Sequence, residues 1–163
     1  MIKVFVMIGI QGSGKSTVGK YLARQENAIV VSTDEIRRKV SSNPVVFKIF
    51  FATAKSLVRQ GKNIIMDATN INESYRKGIF QNLAEFDCKF IACVLDTDRK
   101  TCGSRIKQRE KTDPKSHVIP LHLVDEYFER FGYPTKEEGF DEIRVFDAQE
   151  QTRVFQSLLS PKG

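Results

Sequence analysis

Hydrophobic positions along this chain change their spacing in a regular order. Residues 2–8, Ile-Lys-Val-Phe-Val-Met-Ile, form a near-continuous β-branched and apolar run that stops at Gly9, the pattern of a strand covered on both faces. From Lys15 to about Glu26 the spacing becomes helical, with Val18, Tyr21 and Leu22 on one face and Lys20 and Arg24 on the other. Ala28–Val31 reads as a second short strand, and Ser32 or Thr33 can cap a helix starting near Asp34. Asn43-Pro44 interrupts that helix. A stronger one follows, with Phe47, Phe50, Phe51, Ala54, Leu57 and Val58 on one stripe and Gly61 placed to end it. Residues 63–67 predict a third strand, and Asn72 can cap a helix in which Tyr75, Ile79, Leu83 and Phe86 recur at helical spacing. Residues 89–95 predict a fourth strand, 97–110 a basic helix, and Leu121, Val124, Tyr127 and Phe128 a further helical face. A last strand over 143–146 and an amphipathic helix over 148–159 close the chain. Strands alternating with helices at this spacing predict right-handed crossovers and a three-layer α/β sandwich around about five parallel strands.

Composition narrows this further. The 163 residues, 40% hydrophobic and 28% charged, suit one globular domain over 1–163. No apolar run approaches the roughly 20 residues of a membrane helix, and Val4–Ile8 is too short for a signal-peptide core, so a cytoplasmic protein without membrane contact is expected. Cys88, Cys93 and Cys102 are odd in number and lack metal-type spacing, which predicts reduced thiols. Lys and Arg number 26 against 20 Asp and Glu, a net charge of +6 that tilts the chain toward phosphate-bearing partners. The excess is local: residues 99–115 carry seven bases (Arg99, Lys100, Arg105, Lys107, Arg109, Lys111, Lys115) against Glu110 and Asp113. The acidic residues from Glu137 to Glu150 read as a solvated face, and His117 and His122, without acid or cysteine partners, receive no catalytic role.

The chemistry centres on Gly9-Ile-Gln-Gly-Ser-Gly-Lys-Ser16, which fits G-x-x-x-x-G-K-[ST] and stands between a buried strand and a helix start. There, Gly12, Ser13, Gly14, Lys15, Ser16 and Thr17 are expected to cradle the phosphates of ATP or another nucleoside triphosphate, aided by the positive helix N-terminus. Lys15 should reach the β and γ phosphates, and the Ser16 hydroxyl should ligate Mg²⁺.

A phosphate cradle fits an ATPase, a GTPase or a kinase. The guanine-reading Asn-Lys-x-Asp of a GTPase is missing. A kinase requires a carboxylate for the acceptor's proton, positive groups on the developing charge, and a lid against water. Asp34, just past the second strand, is placed near the γ-phosphate as the base, and Arg37 shares its helical face to grip an anionic group on the acceptor. Asp67 ends the third strand and brings Thr69 and Asn70 to the same rim, where the carboxylate holds metal-bound water or the acceptor. Arg105 and Arg109, four apart, project together from a helical lid over about 99–120 and close over ATP.

Taken together, Gly-x-x-Gly-Ser-Gly-Lys-Ser-Thr at 9–17, Asp34-x-x-Arg37, Asp67-x-Thr69-Asn70 and Arg105-x-x-x-Arg109 followed by Val118-Ile119-Pro120 resemble the polynucleotide 5′-hydroxyl kinase family of P-loop phosphotransferases. The likeness spans residues 1 to about 130 and implies the P-loop kinase fold, with ATP- and Mg²⁺-dependent phosphorylation of a polynucleotide 5′-OH end. By this resemblance Asp34 is the general base, Arg37 binds the acceptor's phosphate beside its terminal nucleoside, Arg109 contacts the donor phosphates, and Asp67 lies on the acceptor and metal side. The form Asp67-Ala-Thr-Asn70 and the segment Glu138-Gly-Phe-Asp-Glu142 also resemble a wider group of small kinases with diverse acceptors. A kinase of a small molecule or another macromolecular hydroxyl therefore stands as the first rival, and a nucleotide-dependent binding module or slow switch as the second.

Overall fold

The computed structural model describes residues 1–115 and 118–160, so the expectation for His117 lies outside the described residues. Five parallel strands, β1 (Ile2–Ile8), β2 (Ala28–Ser32), β3 (Asn63–Asp67), β4 (Cys88–Leu95) and β5 (Glu142–Phe146), form one sheet in the order β2-β3-β1-β4-β5. The apolar run of β1 is explained by its central place. Val4, Val6 and Ile8 point to one face, where they meet Phe50, Ala54 and Val58 of α3 (Asn43–Arg59) and Ile79 of α4 (Glu73–Asn82). Phe5 and Met7 point to the other, against Val18 and Leu22 of α1 (Lys15–Gln25) and Val154 of α7 (Ala148–Leu159). Each such fully buried side chain contributes about 1.5–3 kcal/mol, so the two layers fix the sheet between them.

Local chemistry sets the element ends. Ser32 Oγ accepts from the Glu35 N–H at the start of α2 (Thr33–Arg37), Asn72 Oδ1 from Tyr75 N–H, and Asp147 Oδ1 from Glu150 N–H. Pro44 stands in the first turn of α3, where its missing N–H costs nothing, and Gly61 turns the chain out of it at φ +79°. The basic segment becomes α5 (Arg99–Thr112), capped by Asp98, and α6 (Leu121–Arg130) follows it. Helical structure in this region thus runs on past residue 120, through α6. Two expected core positions fall elsewhere, since Tyr75 and Leu121 are exposed, while Phe86 packs against the core from beyond the end of α4. In α4 the buried first-turn position belongs to Arg76, three residues before Ile79, rather than to Tyr75.

Candidate active site

The sharp turn from β1 into α1 depends on glycine. Gly12 sits at φ +84° and Gly14, the residue preceding α1, at φ +97°. A Cβ on Gly12 would stand 2.7 Å from the Cys102 carbonyl oxygen, so the loop also needs glycine for the close approach of α5. The N-terminus of α1 opens into a cavity of about 590 Å³ lined by Gly12, Gly14, Lys15, Ser16 and Thr17 on one side and Arg105 and Arg109 on the other. Ser13 departs from its expected contact. It is buried, and its hydroxyl donates back to the Ile10 carbonyl (2.6 Å), so it shapes the loop from within. Arg105 Nη1 donates to the Gly12 carbonyl (3.1 Å), and the Ile119 N–H donates to Gln11 Oε1 (2.9 Å). Arg105 of α5 and Ile119 just before α6 are therefore each tied to the loop, and Ile10 packs with Cys102, Ile106, Val124 and Tyr127 beneath them.

A second cavity, about 390 Å³, lies on the β3 side and is lined by Lys15, Thr33, Asp34, Arg37, Phe47 and Thr69 among others. A third, about 490 Å³, runs outward past Arg37, Arg38, Arg109 and Lys115. Asp34 and Gln11 line all three. Asp34 is half exposed on the first turn of α2, 3.6 Å from Arg37 Nη1, and Arg37 is further held by Asn43 Oδ1 (3.4 Å) and by the face of Phe47. Asn70 does not reach this rim. Its amide donates to the carbonyls of Met7 (2.7 Å) and Ala68 (3.2 Å), and its backbone takes φ +49°, so it braces β3 against β1.

The geometry is that of a P-loop nucleotide site with a carboxylate standing between two further clefts. The AAA domain model, AAA_33, matches residues 4–134. The chain belongs to that family. Gluconokinase from Arabidopsis thaliana is 21% identical over 147 residues, covering 78% of this chain and 76% of that protein. A protein structure from Chloroflexus aurantiacus superposes with a TM-score of 0.73 at 14% identity, covering 96% of both chains, and a gluconokinase from Sinorhizobium meliloti at 0.64 with 18% identity, covering 96% of this chain and 89% of that one. A chain of the Pnkp1/Rnl/Hen1 RNA repair complex superposes at 0.71 with 24% identity, over 86% of this chain and 46% of that one. Family and fold give this AAA domain protein the α/β P-loop kinase fold.

Electrostatics centre on Asp67, at the end of β3. Its side chain is 9% exposed and its Oδ1 lies 3.4 Å from Lys15 Nζ without a hydrogen-bond partner. Burial pushes its carboxyl above the usual range, the Lys15 ammonium opposes that rise, and the Asp34 charge adds to it. A buried carboxylate oxygen without a hydrogen-bond partner, paired only by charge with the P-loop lysine that Ser16 follows in the chain, suits a hard divalent cation that keeps several waters. Among the described residues no cluster of three or more His, Cys, Asp or Glu offers a full protein cage, and no helix is long and apolar enough to cross a membrane.

Three supporting residues escaped the sequence reading. Gln151 of α7 donates to Thr97 Oγ1 (2.8 Å) and to the Phe146 carbonyl (2.9 Å), while the Thr97 hydroxyl donates to the Ser13 carbonyl (2.6 Å). This chain of bonds links the P-loop to the ends of β4 and β5, and Gln151 also lines the 590 Å³ cavity beside Phe155. The third is Gln11, an unspecified position of the P-loop pattern. Polar side chains in helices and turns give no local signal of partners 54 to 108 residues away.

Proposed function

We propose that this protein transfers the γ-phosphate of ATP to a hydroxyl at the 5′ end of a polynucleotide. The single observation that carries the reading is the position of Asp34, which lines the P-loop cavity, the inner cleft of Arg37 and the outer basic cleft together. The inner cleft suits a terminal nucleoside, with Arg37 on its phosphate. The outer cleft, with Arg38, Arg109 and Lys115, suits the phosphates of a strand leaving the site.

In this reading the triphosphate lies in the P-loop turn, with Lys15 on its β and γ oxygens and Arg109 across from it. Ser16 directly and Asp67 from the β3 side are the residues that would hold Mg²⁺. That ion, when bound, supplies neutralisation of phosphate charge. Asp34 accepts the proton of the attacking hydroxyl as the O–P bond forms and the bond to the β-phosphate oxygen breaks in line. The lid, seated on Gly12 and Gln11, keeps water from the γ-phosphorus. Kinship by fold to a chain of an RNA repair complex supports a nucleic-acid acceptor.

A small polyol or sugar acid is the second reading, favoured by the 390 Å³ inner cleft and by the gluconokinase relative. Incubation with γ-labelled ATP and either a 5′-OH oligonucleotide, its 5′-phosphorylated control or gluconate separates the two. Label confined to the 5′-OH strand supports the proposal. Label on gluconate alone moves the assignment to the small acceptor.

A further inference from the structure

Arg76 should be a surface residue by its place in the pattern of α4, yet it is 1% exposed and among the largest fully buried side chains. Every arm of its guanidinium is bonded. Nε donates to Glu138 Oε1 (2.7 Å) and Nη2 to Glu138 Oε2 (3.1 Å), while Nη1 donates to the carbonyls of Asn70 (3.0 Å) and Gly132 (2.9 Å). Glu138 is itself fixed, its Oε2 accepting from the Thr135 N–H (2.8 Å).

The two carbonyls belong to different segments of the fold. Asn70 closes the loop that carries Asp67 and Thr69, and that loop is sewn to the P-loop strand by Asn70 Nδ2 on the Met7 carbonyl and by the Gly9 N–H on the Thr69 carbonyl (3.1 Å). Gly132 opens the segment by which the lid returns to the body after α6, and its N–H donates to the Ile71 carbonyl (3.0 Å). The Arg76 fork is thus the joint at which the lid's root meets the loop after β3.

A buried ion pair is weak in stability terms, because desolvation offsets most of its attraction and an apolar pair of similar volume is often as stable. What such a fork supplies beyond an apolar pair is direction, since its planar donors fix two backbone segments at set angles. We propose that Arg76, held by Glu138, is a positioning residue for phosphotransfer: it sets Asp67 and the lid's root relative to the P-loop. This rests on the reading of the cleft as the Mg·ATP site, and it goes beyond that reading by assigning a role to residues that touch neither ATP nor acceptor.

The test compares wild type with Arg76→Met, the apolar double variant Arg76→Met/Glu138→Leu, and Glu138→Gln. Thermal unfolding, affinity for a fluorescent ATP analogue at varied Mg²⁺, and kcat and KM for the labelled-oligonucleotide reaction are measured on each. The single Arg76→Met should melt well below wild type, leaving Glu138 buried without its cation, and the double variant should recover much of that loss. The double variant should still need about 10- to 100-fold more Mg²⁺ for half-saturation, with kcat reduced over a similar range and analogue affinity without Mg²⁺ little changed. A double variant with wild-type melting, Mg²⁺ midpoint and kcat would overturn the proposal and leave the pair a structural one. If the double variant does not fold, Glu138→Gln, which keeps the shape, decides: a raised Mg²⁺ midpoint supports positioning and an unchanged one refutes it. Failure of the wild type to label any oligonucleotide would refute only the acceptor, since the Mg²⁺ midpoint is read from nucleotide binding.

Discussion

Replacing Gly12 by alanine tests the closeness of the lid to the P-loop. At φ +84° an L residue costs about 1–2 kcal/mol on its own. Its Cβ would also meet the Cys102 carbonyl oxygen at 2.7 Å and Ile106 Cγ1 at 3.3 Å. The first contact is backbone within α5, so relief requires a shift of the loop or of the helix rather than a rotamer change. Overpacking of about 1–3 kcal/mol at that contact brings the expected loss to about 2–5 kcal/mol. For a domain of this size that lowers Tm by roughly 5–20 °C. If about 1.4 kcal/mol of it is felt at the cradle, ATP affinity falls about tenfold. Gly19→Ala is the matched control: it lies inside α1, has nothing within 4 Å of its added Cβ, and should raise Tm by about 2–4 °C through helix propensity worth about 1 kcal/mol. Circular dichroism melts and titration with ATP read both. A Gly12→Ala protein with unchanged Tm and affinity would show that α5 does not seat against the loop, and equal losses at both glycines would remove conformation and contact as the cause.

Further outcomes follow from the same geometry. Asp34→Asn should cut phosphotransfer by about 10²–10⁴ while leaving ATP affinity within about twofold, read by labelled transfer beside direct titration. Because Asp67 titrates above the ordinary 3.8 and must be ionised to hold a cation, Mg²⁺-dependent ATP affinity should rise with pH through its titration and then level. Asp67→Asn should flatten that profile, and a pH slope that survives the substitution places the proton elsewhere. Oligonucleotide KM should climb with salt, and Arg38→Ala/Lys115→Ala should lower the log–log slope by about 2; an unchanged slope removes the outer cleft from the strand's path. Alkylation of the folded protein should mark Cys88 first, since burial pushes the Cys93 thiol to about 12 and the Cys102 thiol to about 11, a ranking readable by mass spectrometry after a timed quench.

What the sequence determined by itself is what a few neighbouring residues can enforce. Glycines that accept positive φ, followed at once by a helix start, fix the P-loop whatever surrounds it. The i,i+3 spacing of Asp34 and Arg37 brings their charges to 3.6 Å on one turn of helix, and the near-continuous apolar run of β1 required a strand with both faces covered. Tertiary structure decided which polar side chains turn inward. Ser13 and Asn70 carry the same side-chain types as exposed rim residues, but the curl of the P-loop spends the Ser13 hydroxyl on the Ile10 carbonyl and the packing of β1 against β3 spends the Asn70 amide on the Met7 carbonyl. Arg76 reads as a solvated helix position until a carboxylate 62 residues away and two carbonyls from separate segments enclose it. Burial of a polar group depends on where all its partners come to lie, and no local pattern records partners that only the folded chain assembles.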